Sequence, residues 1–243
     1  MRQRGGLAPE LDAAADGLLL SRPLPWQLDG TPVVGLQPLG IGSDRDGLLY
    51  VPLGYRSETP APFVLTLHGA DGDAKSGLGP LLPLADDAGM ILLSPESRAT
   101  TWDMILGEYG PDISFIDRCL AQTFNRYAVD PSHVAIEGFS DGATYAVAVG
   151  LTNGDLFKHV IAFSPGFAAP AAEEDMPAFF ISHGTHDSVL PVDACSRSIV
   201  PRLERAGYTV VYREFDGGHT VPKSIAREAV EWFLAPQLSV STL

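Results

Sequence analysis

Residues 138–142 read Gly-Phe-Ser-Asp-Gly, and they stand between two contrasting apolar stretches. Residues 134–137, before them, have the composition of a buried strand, and residues 143–151, after them, favour a helix. A serine flanked by glycines at such a junction predicts a sharp strand-to-helix turn, because a Cβ at either glycine position would collide with a neighbouring element. The turn would hold Ser140 at its tip, in a strained backbone conformation.

Apolar runs and amphipathic segments alternate on both sides of this turn. Residues 63–67 and 90–94 are continuous apolar runs, which are typical of strands buried on both faces. Residues 112–127 place their apolar side chains on one helical stripe. Strands are also predicted over residues 33–39, 47–51, 160–164, 178–182 and 210–215, and helices over residues 78–88, 193–206 and 222–234. This alternation predicts an α/β fold with a mostly parallel sheet of about seven to eight strands and helices on both faces.

The chain divides into a short arm and one large domain. Residues 1–31 have no clear period and predict an irregular arm, which residues 18–20 and Trp26 would anchor to the body. Residues 32–243 have the length of a single domain. Residues 164–177 lack a helical period and predict a loop, so we expect a minimal lid or none.

Charge and composition exclude several classes of partner. A formal net charge of −14 disfavours nucleic acid and anionic membrane surfaces. No apolar run reaches the roughly 20 residues of a membrane span, and no apolar segment follows the basic N-terminus, so we expect a cytoplasmic protein. Cys119 and Cys195 lie outside metal-ligand spacings and are interpreted as buried free thiols, although sequence leaves a disulfide open. No metal site is expected.

Polar residues follow the last two predicted strands. Residues 183–191 (HGTHDSVLP) follow one of them, and residues 216–222 (DGGHTVP) follow the other. Parallel strands share one carboxyl edge, so Ser140, Asp187 and His219 are predicted to converge there. A serine hydroxyl needs a base to become nucleophilic, and the base needs an acid that orients it. These three residues offer that combination.

Four motifs, in this order, resemble the α/β-hydrolase superfamily. They are residues 67–70 (LHGA), the turn at Ser140, residues 183–191 and the pair Gly218-His219. Within the superfamily the chain is similar to serine esterases of the phospholipase/carboxylesterase type, which are related to dienelactone-hydrolase-like and polyhydroxyalkanoate-depolymerase-like esterases. Dienelactone hydrolases use a cysteine nucleophile where this chain has serine, which speaks against that activity.

The resemblance implies a role for each motif. Ser140 is the expected nucleophile, His219 the general base and Asp187 the acid that orients it. The oxyanion hole is expected to consist of two backbone N–H groups, one from Asp141 and one from Ala70. Asp71 is the alternative to Ala70 as the second donor.

Several alternatives stay open at this point. Asp216 competes with Asp187 for the role of the acid, and His186 and His183 compete with His219 for that of the base. His68 is expected to hold the oxyanion loop in place. Candidate substrate contacts are Asp71, Trp102, Val189 and Leu190, although Trp102 could instead be an aromatic plug. The Asp141 side chain is predicted either to face solvent or to lie near His219 and repel anionic acyl groups.

These expectations together describe a serine carboxylesterase that hydrolyses small to medium esters through an acyl-enzyme and needs no cofactor. The expected partner is a small-molecule ester, with no nucleic acid or membrane, and either a monomer or a homodimer is compatible with the sequence. A polyester depolymerase or feruloyl-type esterase is the first alternative. A non-catalytic binding protein of the same fold is the second.

Overall fold

The computed structural model describes residues 13–23, 32–42 and 44–236. Eight strands of these residues form one sheet. In chain order they are β1 (Gly35–Pro38), β2 (Gly47–Val51), β3 (Ala61–Leu67), β4 (Ile91–Pro95), β5 (Val129–Phe139), β6 (His159–Phe163), β7 (Ala178–Gly184) and β8 (Val210–Phe215). The α-helices after residue 73 are α1 (Ala74–Leu78), α2 (Ala85–Ala88), α3 (Asp103–Leu106), α4 (Pro111–Phe124), α5 (Asp141–Thr152), α6 (Ser196–Arg205) and α7 (Lys223–Leu234).

The sheet has the mostly parallel arrangement that the sequence predicts. Its strands lie in the order β1-β2-β4-β3-β5-β6-β7-β8. β2 pairs antiparallel with β1 and with β4, and the remaining neighbours are parallel. β3, β4 and β6 are almost wholly buried, because helices cover both faces of the sheet.

Two apolar cores fix the sheet between its helices. On one face, Ile116 of α4, Val147 of α5 and Leu203 of α6 belong to the larger core. On the other face, Leu78 of α1 and Phe233 of α7 belong to the second core. The loops at the carboxyl ends of the parallel strands therefore stand on a close-packed frame.

The segment between β3 and β4 differs from its prediction. The helix expected over residues 78–88 is wrong in its extent. Helix α1 begins earlier, because the Asp73 side chain accepts the N–H of Ser76 and caps the helix. A 3-10 turn at Leu82–Leu84 and the short α2 follow it, since prolines at positions 80 and 83 remove helical donors. Sequence patterns also fail to predict α3.

The described part of the N-terminal arm is anchored to the body. Residues 13–15 are helical where an irregular segment was expected. The buried Leu19 donates its backbone N–H to Asn153 Oδ1 at 2.8 Å, at the end of α5. Trp26, the other predicted anchor, lies outside the described residues, and the division of the chain at residue 31 stays a prediction.

The loop after β6 and the two cysteines follow their predictions. Residues 164–177 contain no helix or strand, so this stretch carries no helical lid. Cys119 and Cys195 are both buried and both free. Burial raises the pKa of the Cys119 thiol to about 12, which leaves it unreactive at neutral pH.

Candidate active site

The turn at residues 138–142 joins β5 to α5 and is tightly packed against neighbouring backbone. Ser140 has φ 58° and ψ −121°, a backbone conformation that few non-glycine residues adopt. A Cβ added at Gly138 would lie 2.2 Å from the backbone of Gly142, and one added at Gly142 would lie 2.2 Å from the carbonyl oxygen of Leu67. Only glycine fits at these two positions, and the strained serine is held where strand and helix meet.

Three side chains from three strand ends meet at the carboxyl edge of the sheet. Ser140 follows β5, Asp187 follows β7 and His219 follows β8. His219 Nδ1 lies 2.6 Å from Asp187 Oδ2, and His219 Nε2 lies 2.9 Å from Ser140 Oγ. An ionised carboxylate only accepts hydrogen bonds, so Nδ1 carries the proton and Nε2 accepts the Ser140 hydroxyl. The structure thus brings together the three residues that the strand-end argument selects.

The Asp187 carboxyl group is surrounded by donors. The residue is only 6% exposed, and burial by itself raises the pKa of a carboxyl group. The hydrogen bond from His219 and those from the backbone N–H groups of Leu190 and Val189, each 2.9 Å long, outweigh burial. The pKa of Asp187 therefore lies below its ordinary value, and the group is ionised at neutral pH.

His183, near the end of β7, supports Asp187 from the interior. Its Nε2 lies 2.7 Å from the Leu190 carbonyl oxygen and 3.3 Å from Asp187 Oδ2, and its Nδ1 lies 2.7 Å from the Ser196 hydroxyl. Nε2 faces only acceptors, so it carries the proton, and Nδ1 accepts from Ser196. Burial lowers the pKa of His183, which keeps the ring neutral. The geometry favours a structural role for this histidine.

The other candidates for the acid and the base lie in solvent. The side chains of His186 and Asp216 are 74% and 94% exposed, and they pair with each other at 3.1 Å. The bond of His219 Nδ1 goes to Asp187. The geometry therefore favours Asp187 and His219 over their alternatives.

The loop after β3 lies against the candidate nucleophile. A Cβ added at Gly69 would be 3.3 Å from Ser140 Cβ. Within residues 44–236, no acceptor takes the backbone N–H of Ala70, whereas Asp71 donates its N–H to the Thr100 carbonyl oxygen at 2.7 Å. Ala70 therefore has a donor available for a ligand, and Asp71 does not.

Asp141 directly follows the candidate nucleophile in the chain. It is the first residue of α5, where helix geometry leaves the backbone N–H without an intrahelical acceptor. Its side chain is half-buried and does not point freely into solvent, and its proximity to His219 stays a prediction. Asp141 Oδ2 accepts a hydrogen bond of 2.6 Å from the Thr101 hydroxyl, which ties the carboxyl group to the loop after β4.

His68 holds the loop after β3 in place. Its Nε2 accepts the backbone N–H of Ser97 at 3.0 Å, and its Nδ1 lies 2.7 Å from the Gly69 carbonyl oxygen. Because Nε2 accepts, the proton of the neutral ring sits on Nδ1 and is donated to Gly69. Burial lowers the pKa of His68, in agreement with a neutral ring.

The structure corrects one predicted substrate contact. Trp102 is fully buried; its Nε1–H donates to the His68 carbonyl oxygen at 2.9 Å, and its ring stacks on Tyr145 with centroids 5.1 Å apart. A side chain without accessible surface cannot line an open cleft. Trp102 is therefore the aromatic plug of the alternative interpretation.

The three remaining substrate-contact candidates are accessible. Val189 is 63% exposed, Leu190 is half-buried beside Asp187, and Asp71 is exposed on the loop after β3. Their positions at the carboxyl edge are compatible with contacts to a ligand, and such contacts stay predictions.

Sequence reasoning missed two polar features near this edge. The first is the Thr101 hydroxyl, whose bond to Asp141 joins residues far apart in sequence and leaves no local pattern. The second is Glu137, a fully buried carboxyl group on β5. Its signal was available, because a charged residue interrupts the apolar run before the turn.

The polar side chains of the described ranges form no group of three or more His, Cys, Asp or Glu residues that could hold a metal ion. The helices in the same part of the chain are too short or too polar for any of them to cross a membrane.

Two proteins resemble part of this chain in sequence. NocK of Nocardia uniformis subsp. tsuyamanensis, described as an esterase, is 29% identical over 150 residues, which are 56% of this chain and 42% of NocK. Acetylxylan esterase A of Emericella nidulans is 29% identical over 158 residues, which are 60% of this chain and 50% of that enzyme. The chain thus spans about half the length of these relatives. No protein-family profile matches the sequence.

A solved structure decides the fold. The fluorophosphonate-binding serine hydrolase FphF of Staphylococcus aureus superposes with a TM-score of 0.68, covering 85% of this chain and 100% of FphF at 13% identity. The chain has the α/β-hydrolase fold. At this identity the likeness establishes architecture alone, so the activity of this chain has to be argued from its site.

Proposed function

We propose that this chain of α/β-hydrolase fold is a serine carboxylesterase. The observation that carries the proposal is the hydrogen-bonded series from Asp187 through His219 to Ser140 at the carboxyl edge of the sheet. A serine hydroxyl that donates to a neutral imidazole, itself fixed by an ionised carboxylate, has the arrangement needed to attack an acyl carbon. The names of the two sequence relatives also support ester chemistry.

In the proposed reaction, Ser140 Oγ attacks the carbonyl carbon of the ester while His219 Nε2 takes the hydroxyl proton. The proton passes to the oxygen of the leaving alcohol as the acyl C–O bond breaks, which leaves an acyl-enzyme on Ser140. Water then attacks the acyl carbon, and Nε2 takes its proton and returns it to Ser140 Oγ as the acid departs. Asp187 stays ionised and stabilises the imidazolium in both halves. These steps require no cofactor.

The backbone N–H groups of Ala70 and Asp141 are the proposed oxyanion donors. Support comes from their positions next to Ser140, on the adjoining loop and at the following residue, and from their lack of an acceptor among the described residues. Each donor would gain strength as negative charge develops on the carbonyl oxygen. The loss of one such donor costs about 2.7–4 kcal/mol of transition-state stabilisation.

Small to medium esters are the proposed substrates. The loop at residues 164–177 carries no helical lid, which favours soluble esters over long-chain lipids at an interface. The acetylxylan esterase among the relatives makes acetyl esters the first choice for assays.

The net charge of −14 disfavours polyanionic partners, and the two free cysteines support a cytoplasmic location.

Hydrolysis of p-nitrophenyl esters from C2 to C12 tests the proposal. We expect turnover of the short chains by the wild type and its loss in Ser140→Ala, because no other group replaces the nucleophile. Ser198→Ala, at an exposed serine of α6, is the matched control and should retain full activity. A fluorophosphonate should label Ser140. A folded wild type with neither hydrolysis nor labelling would contradict the esterase and favour a non-catalytic binding protein.

A further inference from the structure

Residues 100–102, which we call the clamp segment, hold the loop that carries Ala70. The Thr100 carbonyl oxygen accepts the backbone N–H of Asp71 at 2.7 Å. The Trp102 Nε1–H donates to the His68 carbonyl oxygen at 2.9 Å. The segment therefore fixes the backbone on both sides of Ala70, one of the two proposed oxyanion donors.

The same segment also holds the other donor. The hydroxyl of Thr101 donates to Asp141 Oδ2 at 2.6 Å, and Thr101 is 7% exposed. Three consecutive residues thus connect the two halves of the proposed oxyanion hole, which come from distant parts of the sequence.

The clamp segment is itself held in place by Asp112 and by aromatic packing. Asp112, almost fully buried at the start of α4, accepts the backbone N–H of Arg98 at 2.6 Å and that of Asp103 at 2.7 Å. These two bonds close the loop on either side of the segment. The Trp102 ring packs between His68 and Tyr145, with centroid distances of 4.8 and 5.1 Å. A segment held in this way can impose its geometry on its partners.

The site needs such a clamp for two reasons. Asp71 has φ 55°, a left-handed conformation that is unfavourable for a non-glycine residue and persists only where contacts enforce it. In addition, Asp141 places a carboxylate one residue from the nucleophile. A negative group that could turn toward a developing oxyanion would oppose its formation.

We propose that Thr101 is a positioning residue for the oxyanion hole. Its hydroxyl holds the Asp141 carboxylate against the clamp segment, which fixes the first turn of α5 and its N–H donor. The inference rests on the proposed esterase function. Because Thr101 acts when charge develops in the transition state, its loss should lower kcat and leave KM nearly unchanged.

The test compares Thr101→Val, which removes the hydroxyl at similar volume, with Thr101→Ser, which keeps it. The concentration of active sites is measured by fluorophosphonate titration, and kcat for p-nitrophenyl acetate is calculated from it. We expect this kcat to fall about tenfold in the valine variant and to recover in the serine variant. An alkyl trifluoromethyl ketone, which forms a tetrahedral oxyanion on the serine, should bind the valine variant about tenfold more weakly. Thr209→Val, at an exposed threonine before β8, is the matched control and should leave both values unchanged.

A double-mutant cycle shows whether the effect runs through Asp141. In an Asp141→Ala background, Thr101→Val should change kcat less than about twofold, because the bond is already absent. An active, labelled wild type whose kcat is unchanged by Thr101→Val would overturn this inference and leave the esterase standing. So would a tenfold loss that persists in the Asp141→Ala background. A wild type that is neither active nor labelled would overturn the esterase and the inference together.

Discussion

Asp187 and Glu137 are both carboxyl residues that are almost completely removed from water, but their surroundings differ. Asp187, in the loop after β7, accepts hydrogen bonds from His219 and from two backbone N–H groups. Glu137, on β5, has no hydrogen-bond partner for either carboxyl oxygen among the described residues. The pKa of Asp187 is lowered in spite of burial, whereas burial raises the pKa of Glu137 well above its ordinary value.

The difference teaches that donors, and not burial alone, decide the direction in which the pKa of a buried carboxyl group is shifted. Moving an unpaired carboxylate out of water is costly, which favours the protonated form of Glu137. Asp187 stays ionised because three donors replace its water. Only an ionised group can stabilise the imidazolium that the proposed mechanism forms on His219. Three predictions test this comparison.

The largest expected effect follows from removing the charge at Asp187. In Asp187→Asn the amide can donate to His219 Nδ1, which favours the tautomer that carries its proton on Nε2. The substitution also removes the negative charge that stabilises the imidazolium. We expect kcat on p-nitrophenyl acetate to fall about 10⁴-fold. Asp216→Asn, at the exposed alternative acid, is the control and should lower kcat less than about twofold, because solvent screens its charge. Equal losses in the two variants would contradict the assignment of the acid.

A second effect concerns stability at Glu137. A carboxyl group whose pKa is raised by folding contributes stability that is fully present below the ordinary value of 4.5 and is lost as the pH rises through the folded pKa. We expect the free energy of unfolding of the wild type to fall relative to Glu137→Gln above pH 4.5, with a slope of up to about 1.4 kcal/mol per pH unit. Urea titrations at pH 5, 6.5 and 8 measure the difference.

The control for this prediction is Glu174→Gln, at an exposed residue of the loop after β6. Its unfolding free energy should run parallel to that of the wild type over the same pH range. Asp187→Asn should leave the difference constant over this range and show the opposite sign only in titrations below pH 3.8, since the contribution of a lowered pKa is present above that ordinary value and is lost as the pH falls through the folded pKa. Parallel curves for the wild type and Glu137→Gln would mean that Glu137 finds a partner or water.

The sequence predicts the position of Asp187 beside His219 much better than it predicts the surroundings of Glu137. Ser140, Asp187 and His219 each stand directly after a strand, and strand ends of a parallel sheet share one edge, so their meeting follows from topology. The glycines of residues 138–142 specify the turn by steric exclusion alone. Elements and motifs that obey short-range rules are therefore predicted, although β5 runs from Val129 to Phe139 and extends beyond the predicted residues 134–137 at both ends.

The features that were missed depend on packing between distant segments. Trp102 follows a strand, as a pocket residue can, but its burial against Tyr145 is decided by tertiary contacts. The bond from Thr101 to Asp141 has no counterpart in local sequence. The charge state of Glu137 depends on the absence of donors around it, which no pattern along one strand records.

The smallest expected effect concerns the neutral histidine behind Asp187. His183 Nε2–H lies within reach of both the Leu190 carbonyl oxygen and Asp187 Oδ2, so the ring fixes the loop whose backbone donors keep Asp187 ionised. His183→Phe keeps an aromatic ring but loses this donor, and we expect kcat to fall about tenfold as Asp187 becomes less well oriented. Ser196→Ala removes only the hydroxyl that donates to His183 Nδ1 and should cost less than His183→Phe. If the loss in His183→Phe instead matched that of Asp187→Asn, the two residues would act as one unit, and the ionised carboxylate would depend on the buried ring as strictly as on His219.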